Sequence, residues 1–526
     1  MTPQHQAATL DQLADFWASE RPDHVAYRFE GRDTTFAGVR DTMEALARAL
    51  VAAGLDKGQR IAWVGKNSDQ YFMLLFAAGR VGATVVPVGW RLAEAEMRYI
   101  IDDAEAGAIV ATPDYLDMAK RLAADIDKVD TVWVSEGDAD VPNLQAVAEA
   151  AKDDASPPTA TSTDALVQLY TSGTTGHPKG VVLTHGNFLD LARDPDIQTP
   201  DWDHWTPEES GLLPMPVGHI AGTGYGLIPF NSGSACTITA EFDPGEILDL
   251  INEHKVTRFF LVPAALQFLI GHPKAKDTDT SKVSQVGYGA SPIPLDLLRA
   301  CMKAFPNAGF VQSYGMTETT GAVVVLEPED HDPEGNERMR SAGRALPGCE
   351  AMVVDEEFNE VPLGEVGEIV IRSPKNMAHY WKLPDKTAET VNQDGWLRTG
   401  DAGYMDADGY VFIHDRMKDM IISGGENVYP AEVENAIYSH PKVADVAVIG
   451  VPDEKWGEAV KAVIVRKPGE ELDEDELIGW TREKIAAFKC PKSVDFTDML
   501  PRNASGKILR KDLRAPYWEG KERQVN

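Results

Sequence analysis

Apolar and polar positions near the start of the chain follow the spacing of amphipathic helices. Apolar side chains recur at helical spacing over 10–17 and again over 36–53, which predicts two helices with one buried face each. Gly54 follows the second segment and suits a C-terminal cap, because glycine tolerates the left-handed conformation that ends many helices. The chain is therefore expected to begin with helices packed on a core.

Short apolar runs then alternate with helix-patterned segments up to a polar linker. The predicted strands cover 60–64, 84–88, 108–111 and 131–134, and the predicted helices cover 69–79 and 93–103. Strands that alternate with helices and are mostly apolar are typical of parallel sheets covered by helices. The polar, proline-containing stretch 152–163 predicts a linker, after which the alternation resumes.

The rest of the chain shows three successive patterns. The alternation continues with predicted strands over 165–170, 181–184, 258–262, 285–291 and 310–315 and a helix over 246–254. From about 350 to 415, short strands separated by Asp-Gly and Gly-x-x-Gly turns predict antiparallel, barrel-like structure. After Arg416, helices over 430–438 and 473–487 and strands over 446–449 and 459–466 predict a small α+β unit.

Length and charge limit the classes of protein that fit. With 526 residues the chain is longer than one hydrophobic core usually covers, so two or more domains are expected. The formal net charge of −33 disfavours nucleic acid and anionic membranes as partners. An acidic surface is also typical of soluble or salt-adapted proteins. Any anionic ligand must therefore be met by local positive charge.

The cysteines and the apolar runs exclude further classes. Cys236, Cys301, Cys349 and Cys490 are far apart and form no Cys-x-x-Cys pair, which argues against zinc and against a disulfide framework. The N-terminus has no signal-peptide pattern, and no apolar run is long enough to span a bilayer. We expect a cytoplasmic protein without a transmembrane segment. The oligomeric state stays open, with a homodimer among the alternatives.

The most distinctive segment is 170–180, Tyr-Thr-Ser-Gly-Thr-Thr-Gly-His-Pro-Lys-Gly. Its glycines let the backbone approach a ligand closely and expose N–H groups, while its hydroxyls and lysine add donors and a positive charge. The segment is not a Walker A loop, because Gly173 and Gly176 are too close and Pro178 precedes Lys179. It suits a polyphosphate, and the alternative interpretation is a plain polar hairpin loop.

Residues 171–180 resemble the phosphate loop of the adenylate-forming superfamily, which includes acyl-CoA synthetases, peptide-synthetase adenylation domains and beetle luciferases. The resemblance covers roughly residues 10 to 515, with five motifs in the family's order. It implies an α/β multidomain fold: a large N-terminal region over 1–415 made of two αβ subdomains and a distorted β-barrel, a hinge at 416–418, and a small mobile α+β C-terminal domain over 419–526.

The resemblance also implies the reaction. ATP and a carboxylic acid give an acyl-adenylate and pyrophosphate, and the thiol of coenzyme A then displaces AMP to form a thioester. The implied cofactors are ATP, Mg²⁺ and coenzyme A. The resemblance assigns Mg²⁺ to Glu318 and Thr171, the ribose to Asp401 and Arg416, and the C-terminal catalytic position to Lys507. A carboxylate is a suitable ligand for a hard cation, and a lysine can neutralise charge that develops as the adenylate forms.

The residues that the resemblance assigns to ATP are Thr171, Ser172, Gly173, Thr174, Thr175, Gly176, Lys179, Gly289, Ala290, Ser291, Ser313, Tyr314, Gly315, Met316, Thr317, Glu318, Asp401, Arg416 and Lys507. The catalytic residues among them are Lys179, Glu318 and Lys507.

The acyl and coenzyme A sites are implied in the same way. His219 occupies the place of a gate residue, and the acyl pocket is assigned to His219, Gly222, Thr223, Gly224, Gly289 and Gly315. We expect the small residues Gly222, Gly224, Gly226 and Gly289 to leave room for the acid. The pantetheine tunnel is assigned to Ser423, Gly424 and Gly425, and the hinge to Lys418.

Three alternatives to an acyl-CoA ligase stay open. The adenylate can pass to a carrier protein or another acceptor, or the enzyme can be a luciferase-like oxygenase. A nucleotide-sensing module without catalysis is the third alternative, and the presence of Glu318, Asp401 and Lys507 speaks against it. The sequence does not identify the acid: medium or long aliphatic, aryl and steroid side-chain acids all fit.

Overall fold

The structure is a computed structural model that describes residues 7–151, 159–171, 177–291, 293–416, 419–423, 426–453, 455–502 and 508–519. Of residues 415, 416 and 427 it describes the backbone only. The helices are α1 Leu10–Glu20, α2 Phe36–Ala52, α3 Asp69–Val81, α4 Glu94–Asp103, α5 Leu116–Asp125, α6 Leu144–Ala150, α7 His185–Arg193, α8 Ile220–Asn231, α9 Pro244–Glu253, α10 Pro263–Gly271, α11 Leu295–Ala304, α12 Pro384–Thr390, α13 Pro430–Tyr438, α14 Glu474–Arg482 and α15 Arg510–Trp518.

The strands are β1 Val25–Phe29, β2 Arg32–Thr35, β3 Arg60–Gly65, β4 Thr84–Gly89, β5 Ala108–Ala111, β6 Thr131–Val134, β7 Ala165–Thr171, β8 Lys179–Thr184, β9 Ser210–Leu213, β10 Ala235–Ile238, β11 Arg258–Leu261, β12 Gln285–Gly289, β13 Gly309–Met316, β14 Gly321–Leu326, β15 Arg344–Ala345, β16 Glu350–Val354, β17 Gly367–Arg372, β18 His379–Tyr380, β19 Trp396–Met405, β20 Val411–Arg416, β21 Ile421–Ser423, β22 Glu426–Val428, β23 Val443–Asp453, β24 Gly457–Arg466 and β25 Ser493–Thr497.

Two large mixed sheets form the N-terminal region. The first sheet has the strand order β15-β14-β13-β12-β11-β9-β10-β1-β2, and the second has the order β18-β8-β7-β4-β3-β5-β6. The strands at the centre of each sheet run parallel, as predicted, but β2, β8, β14, β15 and β18 pair antiparallel at the edges. The prediction of parallel sheets was therefore incomplete. Short connections reverse the chain between β1 and β2, between β7 and β8 and between β13 and β14, whereas β18 reaches the edge of β8 from a distant part of the chain.

Helix α3 explains how the two sheets share one core. Nearly all of its residues are apolar and buried, so it packs on several sides at once. The Ser68 side chain caps its N-terminus by accepting a hydrogen bond from the Gln70 N–H, and Gly82 ends it in the left-handed conformation with φ of 75°. The Phe72 ring of α3 stacks on Tyr27 of the first sheet at 5.0 Å between ring centroids.

Residues from about 350 to 415 were predicted to form antiparallel, barrel-like structure. They form a sheet of four antiparallel strands in the order β16-β17-β19-β20. A bridge between Gly343 and Val411 links it to the chain just before β15. Its apolar core includes Val323, Val324, Val353, Ile369, Ile371 and Val411. This shared core fixes β19 and β20 beside the end of β13, where the site described below lies.

The C-terminal part has a sheet and a core of its own. Strands β23 and β24 form a long hairpin from Val443↔Arg466 to Asp453↔Gly457, β25 runs parallel to β24, and β21 and β22 complete the sheet. Helices α13 and α14 cover a separate apolar cluster that includes Val433, Ile437 and Leu477. The predicted α/β fold with a large N-terminal region and a smaller C-terminal part is thus confirmed.

Candidate functional site

The glycine-rich segment closes a hairpin between β7 and β8. Thr171 pairs with Lys179 in an antiparallel register, so the two ends of the segment lie side by side. Strand β18 adds to the free edge of β8 with Tyr380 opposite Val181. As a result, the Lys179 Nζ atom lies 4.0 Å from the centroid of the Tyr380 ring, within the range of a cation–π contact.

Glu318 meets this hairpin from the first sheet. It lies in a single turn directly after β13 and is only 5% exposed. The Tyr380 hydroxyl donates a hydrogen bond to Glu318 Oε1 at 2.8 Å, and the Thr171 hydroxyl donates a longer one to the same atom at 3.5 Å. The Glu318 carbonyl accepts from the Met377 N–H at 2.7 Å. Thr171, Lys179 and Glu318 therefore lie close together, and Tyr380, which no motif contained, joins them.

The turn that carries Glu318 is held by its own backbone geometry. Thr320 has φ of 49°, an uncommon left-handed conformation for a residue with a side chain. Its hydroxyl donates to the Lys375 carbonyl at 2.6 Å, and the Thr319 hydroxyl donates to the Gly321 carbonyl at 2.8 Å. These bonds compensate for the strain and hold Glu318 at the end of the strand.

A second group of predicted residues meets at Asp401. This side chain on β19 is 5% exposed, and its Oδ2 atom accepts a hydrogen bond from the Tyr314 hydroxyl of β13 at 2.6 Å. The Asp401 N–H donates to Thr399 Oγ1 at 3.1 Å, which fixes the backbone. Asp401 faces Arg416 in the β19–β20 register. Tyr314, Asp401 and Arg416 are thus neighbours although they lie far apart in sequence.

The ends of β12 and β13 lie next to each other because these strands run parallel. Gly289 pairs with Ser313, and a side chain at Gly289 would place its Cβ 2.2 Å from the Ser313 carbonyl oxygen. Ala290 follows with φ of 65°, so the chain turns sharply and leaves Ala290 and Ser291 exposed. Carboxyl ends of adjacent parallel strands are where α/β sheets bind ligands.

Gly315 is required by packing between strands. A Cβ atom at Gly315 would lie 1.9 Å from the Gly321 carbonyl oxygen of β14. Met316 ends β13, and Thr317 begins the turn that carries Glu318. Glycine is therefore needed at positions 289 and 315 because the backbone of the neighbouring strand lies where a Cβ atom would be.

The acyl side begins at His219, directly before α8. Its N–H donates to the Pro216 carbonyl at 3.0 Å, and the residue is half-buried. Burial and the nearby Arg91 guanidinium lower the pKa of the His219 imidazole. The lowered pKa favours the neutral form of the His219 imidazole at pH 7.

The structure corrects the expectation that the glycines of α8 leave room for the acid. A Cβ atom at Gly222 would lie 2.1 Å from the Pro216 carbonyl oxygen, and one at Gly226 would lie 2.1 Å from the Phe72 ring. Thr223 is fully buried, and its hydroxyl donates to the Val217 carbonyl at 2.7 Å. Gly222, Thr223 and Gly226 lie on the packed face of the helix, where small size permits close contact. Gly224 lies on the other, half-buried face.

Part of the predicted site lies outside the described residues. Ser423 is buried on β21 and pairs with Glu426 across the β21–β22 hairpin. The predicted residues outside the description are Ser172, Gly173, Thr174, Thr175, Gly176, Lys418, Gly424, Gly425 and Lys507.

No helix in the described ranges is long and apolar enough to cross a membrane. Within the same ranges, no three His, Cys, Asp or Glu side chains gather in a group that would hold a metal ion by itself.

Two family profiles match the chain. Residues 14–381 match the AMP-binding enzymes, and residues 432–507 match the C-terminal domain of AMP-binding enzymes. The first match alone spans more than half of the chain.

Individual relatives align over nearly the whole chain. The chain is 38% identical over 522 residues to a fatty acid–[acyl-carrier-protein] ligase, ScoC, of Streptomyces coeruleorubidus, with 99% of each protein covered. It is 38% identical over 502 residues to a feruloyl-CoA synthase of an Amycolatopsis species, covering 94% of this chain and 96% of that one. The crystal structure of ATP-bound MatB from Rhodopseudomonas palustris is 31% identical and superimposes with a TM-score of 0.85 over 97% of this chain and 100% of that chain. The chain therefore belongs to the AMP-binding enzyme family, and it is an acid–thiol ligase of the adenylate-forming superfamily.

Proposed function

We propose that this ligase activates a carboxylic acid as its acyl-adenylate at the meeting point of β7, β13 and β19 and then transfers the acyl group to coenzyme A. The observation that carries the proposal is the convergence of Thr171, Lys179 and Glu318 through Tyr380. These residues supply a hydroxyl, a cation and a carboxylate at the base of the glycine-rich hairpin, which is the set that a metal-bound triphosphate requires.

The residues present fit a magnesium ion. Mg²⁺ in nucleotide enzymes is usually held by one or two protein oxygens together with phosphate oxygens and water, so a cluster of three protein ligands is not needed. Glu318 and Thr171 offer two hard oxygen donors 3.5 Å apart. When bound, the ion supplies positive charge to the phosphate oxygens and orients them. Lys179 lies beside these two side chains and adds a second positive charge.

Asp401 and Arg416 are proposed to hold the ribose. A carboxylate can accept hydrogen bonds from two vicinal hydroxyls, and the Tyr314 hydroxyl orients Asp401 by donating to its Oδ2 atom. The β19–β20 pairing places the Arg416 backbone directly beside Asp401. The nucleoside would then lie along the ends of β12 and β13, against Gly289, Ala290, Ser291 and Ser313.

The chemistry requires positioning and charge more than a protein nucleophile. A carboxylate is a poor electrophile because its oxygen leaves badly, and AMP turns that oxygen into a good leaving group. The substrate carboxylate attacks the α-phosphate, the bond to pyrophosphate breaks, and Lys507 neutralises the charge that develops there. The thiol of coenzyme A then attacks the acyl carbon, and AMP leaves with the bonding electron pair.

Two candidate functions differ in the molecule that accepts the acyl group from the adenylate. Ser423, Gly424 and Gly425 resemble the turn that lines the pantetheine tunnel of acyl-CoA synthetases. The longer segment 423–430, Ser-Gly-Gly-Glu-Asn-Val-Tyr-Pro, resembles these ligases and favours coenzyme A. The likeness to the acyl-carrier-protein ligase ScoC favours a carrier protein as the second candidate. Both acceptors present a pantetheine thiol, so the same tunnel serves either.

Two assays test the proposal in sequence. Acid-dependent exchange of radiolabelled pyrophosphate into ATP is expected with at least one member of a panel of aliphatic and aryl acids. AMP release with that acid is then compared with coenzyme A, with a phosphopantetheinylated carrier protein, and with neither. Stimulation by coenzyme A supports the main proposal, and stimulation by the carrier alone supports the second. Absence of acid-dependent exchange with every acid would contradict adenylate formation.

A further inference from the structure

Helix α8 has one face that packs closely on its neighbours and one that does not. The second face is formed by half-buried residues, and we name it the open face of α8: Ile220, Ala221, Gly224 and Tyr225. These positions recur at helical spacing, so they lie side by side along the helix. The open face begins directly after His219, the residue predicted to gate the acyl pocket.

The described residues leave a gap beside the open face. Of the α8 glycines, Gly224 is the one whose Cβ position would meet only a side chain of its own helix, Ile220, at 3.7 Å from Cδ1. A Cβ atom on Gly321 of β14 would also meet only Ile220, at 3.8 Å from Cγ1. Gly321 pairs with Met316, the last residue of β13 before the turn that carries Glu318. The gap therefore begins next to the proposed adenylate site.

The first sheet provides the opposite wall. Phe260 of β11 and Gly287 of β12 are partners in the parallel register, so both point to the same face of the sheet. The Phe260 ring occupies the space beside Gly287, with its Cδ2 atom 3.1 Å from the Cβ position of the glycine. The same ring reaches α8, where its centroid lies 6.5 Å from that of Tyr225. The sheet and the open face of α8 thus meet at this pair of rings.

The Tyr225 ring closes the gap at the end remote from His219. The buried Trp205 ring lies edge-on to it at 6.4 Å between centroids, and the Phe260 ring lies on it at 6.5 Å. Both distances are within the range of aromatic contacts. The Tyr225 hydroxyl is buried, so any accessible part of this side chain is apolar. The end wall of the gap is therefore an aromatic ring that two other rings hold in place.

The length of helix between Ile220 and Tyr225 gives the depth of the gap. The two residues are five helical steps apart, which is about 7.5 Å along the axis. This depth suits a single aromatic ring or an aliphatic chain of medium length. A long-chain acid or a steroid side-chain acid that entered in the same direction would meet the Tyr225 ring.

We propose that Tyr225 determines the length of acid that the ligase accepts, because its ring forms the end of the acyl pocket. The enzyme then favours acids with one aromatic ring or a medium-length chain over long-chain and steroid side-chain acids. The inference rests on the proposed adenylation function and narrows its substrate class. An acid that fits the gap removes the apolar surfaces of Ile220, Tyr225 and Phe260 from water. A longer acid must displace a ring that is packed on both sides, which is costly.

Matched acids of different length test the proposal. The initial rates of acid-dependent ATP–pyrophosphate exchange are compared for octanoic and hexadecanoic acid, and for cinnamic and 4-phenylcinnamic acid. We expect kcat/KM of the wild type to be about tenfold or more higher for the shorter member of each pair. Tyr225→Ala should raise kcat/KM for the longer members about tenfold or more and leave the KM for ATP unchanged. Tyr225→Leu should act in the same direction, and Tyr225→Phe, which keeps the ring, should retain the wild-type preference.

Gly224→Leu tests the gap itself. Leucine is a good helix former, and its side chain would fill the space beside the open face. We expect kcat/KM to fall about tenfold or more for the acids that the wild type accepts, with an unchanged KM for ATP. A kcat/KM equal to that of the wild type for these acids would show that they do not bind in this gap.

Ile228→Ala is the matched control, since Ile228 lies three residues beyond Tyr225 on α8 but is 40% exposed. It should keep the preference of the wild type. A wild type that uses the longer acids as well as the shorter ones, or an unchanged preference in both Tyr225→Ala and Tyr225→Leu with near-native melting temperatures, would overturn the inference alone. No exchange with any acid would overturn the proposed function and the inference together.

Discussion

At the scale of single residues, Glu318 shows how neutral donors prepare a carboxylate for a cation. The Tyr380 and Thr171 hydroxyls both donate to Oε1. Because hydroxyls are uncharged, they orient the carboxylate and leave its negative charge in place. A buried carboxylate held in this way is costly unless a charge binds to it. The proposed metal–triphosphate complex supplies that charge.

Glu318→Gln should therefore weaken the dependence of catalysis on Mg²⁺. An amide oxygen is a poorer ligand than a carboxylate for a hard cation, and we expect the Mg²⁺ concentration for half-maximal exchange to rise about tenfold or more. The measurement is ATP–pyrophosphate exchange at fixed total ATP over a Mg²⁺ titration. Glu389→Gln on the exposed side of α12 is the control. A titration that overlays the wild type would remove Glu318 from the metal site.

Tyr380 acts on the same site with its hydroxyl and with its ring. Tyr380→Phe keeps the ring beneath Lys179 and removes the hydrogen bond to Glu318, which contributes about 1.5–3 kcal/mol when one partner is charged. We expect kcat/KM for ATP to fall about tenfold or more, and Tyr380→Leu to lower it further because the cation–π contact is lost as well. Equal kinetics in Tyr380→Phe and wild type would show that the hydroxyl does not orient Glu318.

The protonation of His331 affects the free energy of unfolding. Its Nδ1 atom lies 2.8 Å from the Glu327 carbonyl and its Nε2 atom lies 2.9 Å from the Tyr288 hydroxyl. Burial lowers the pKa of His331 to about 4, below the value of about 6.5 expected in the unfolded chain. The unfolded state then binds the proton more tightly, so stability is present above pH 6.5 and is lost as the pH falls towards 4.

The expected loss from this group is on the order of 2–3 kcal/mol between pH 7 and pH 4. Urea unfolding across this range measures it, with His331→Gln as the comparison. The difference in unfolding free energy between wild type and variant should shrink as the pH falls. A difference that is constant with pH would contradict the lowered pKa.

At the scale of elements, the end of α4 supports the base of the glycine-rich hairpin. The Tyr170 hydroxyl on β7 donates to Asp103 Oδ2 at 2.6 Å and accepts from the Gln168 side chain at 3.0 Å. The Trp381 indole N–H donates to the Asp103 carbonyl at 2.8 Å. On the other end of the segment, the Tyr99 ring stacks on His177 at 4.8 Å between centroids. One helix end thus contacts both ends of the segment.

Tyr170→Phe should disturb ATP binding through this support. The change leaves the fully buried Gln168 and the Asp103 carboxylate each without one partner, which costs about 1–3 kcal/mol of stability. We expect a lower melting temperature and a raised KM for ATP with little change in acid selectivity. Tyr115→Phe, at a tyrosine outside these hydrogen bonds, is the control. An altered acid profile with an unchanged KM for ATP would contradict a positioning role.

At the scale of the whole molecule, the N-terminal region and the C-terminal sheet are joined where β20 ends at Arg416 and β21 begins at Ile421. The proposed boundaries are an N-terminal domain over 1–415, a hinge at 416–418 and a C-terminal domain over 419–526. In the proposed mechanism, Lys507 first lies near the α-phosphate, and a pantetheine chain must then be admitted to the same acyl carbonyl. Both cannot occupy that space at once, so the proposed mechanism requires the C-terminal domain to rotate.

Lys418→Pro should separate the two half-reactions. Proline fixes φ and removes the N–H, so it restricts a hinge that must change its dihedral angles. We expect ATP–pyrophosphate exchange to persist while thioester formation falls about tenfold or more. Lys418→Ala should retain both activities, and a near-native melting temperature shows that the proline variant is folded. Full thioester synthesis in that variant would place the hinge elsewhere.

Much of the fold was predictable because hydrophobic spacing is a local property. The predicted helix over 69–79 and the strands on either side match α3, β3 and β4 to within a few residues, since each element buries a continuous or periodic apolar surface. The residues Thr171, Glu318 and Asp401 were found through a resemblance carried by short motifs. The contacts that these three residues make depend on the order of the strands in the sheets.

Tertiary structure alone decided how the site is completed. Tyr380 reaches Glu318 because β18 adds to the edge of β8, a pairing between segments almost two hundred residues apart in sequence. Gly222 and Gly226 pack against a backbone and a ring instead of leaving room. Local sequence specifies which surface each element buries, whereas the neighbour that covers the surface is selected when all elements pack together.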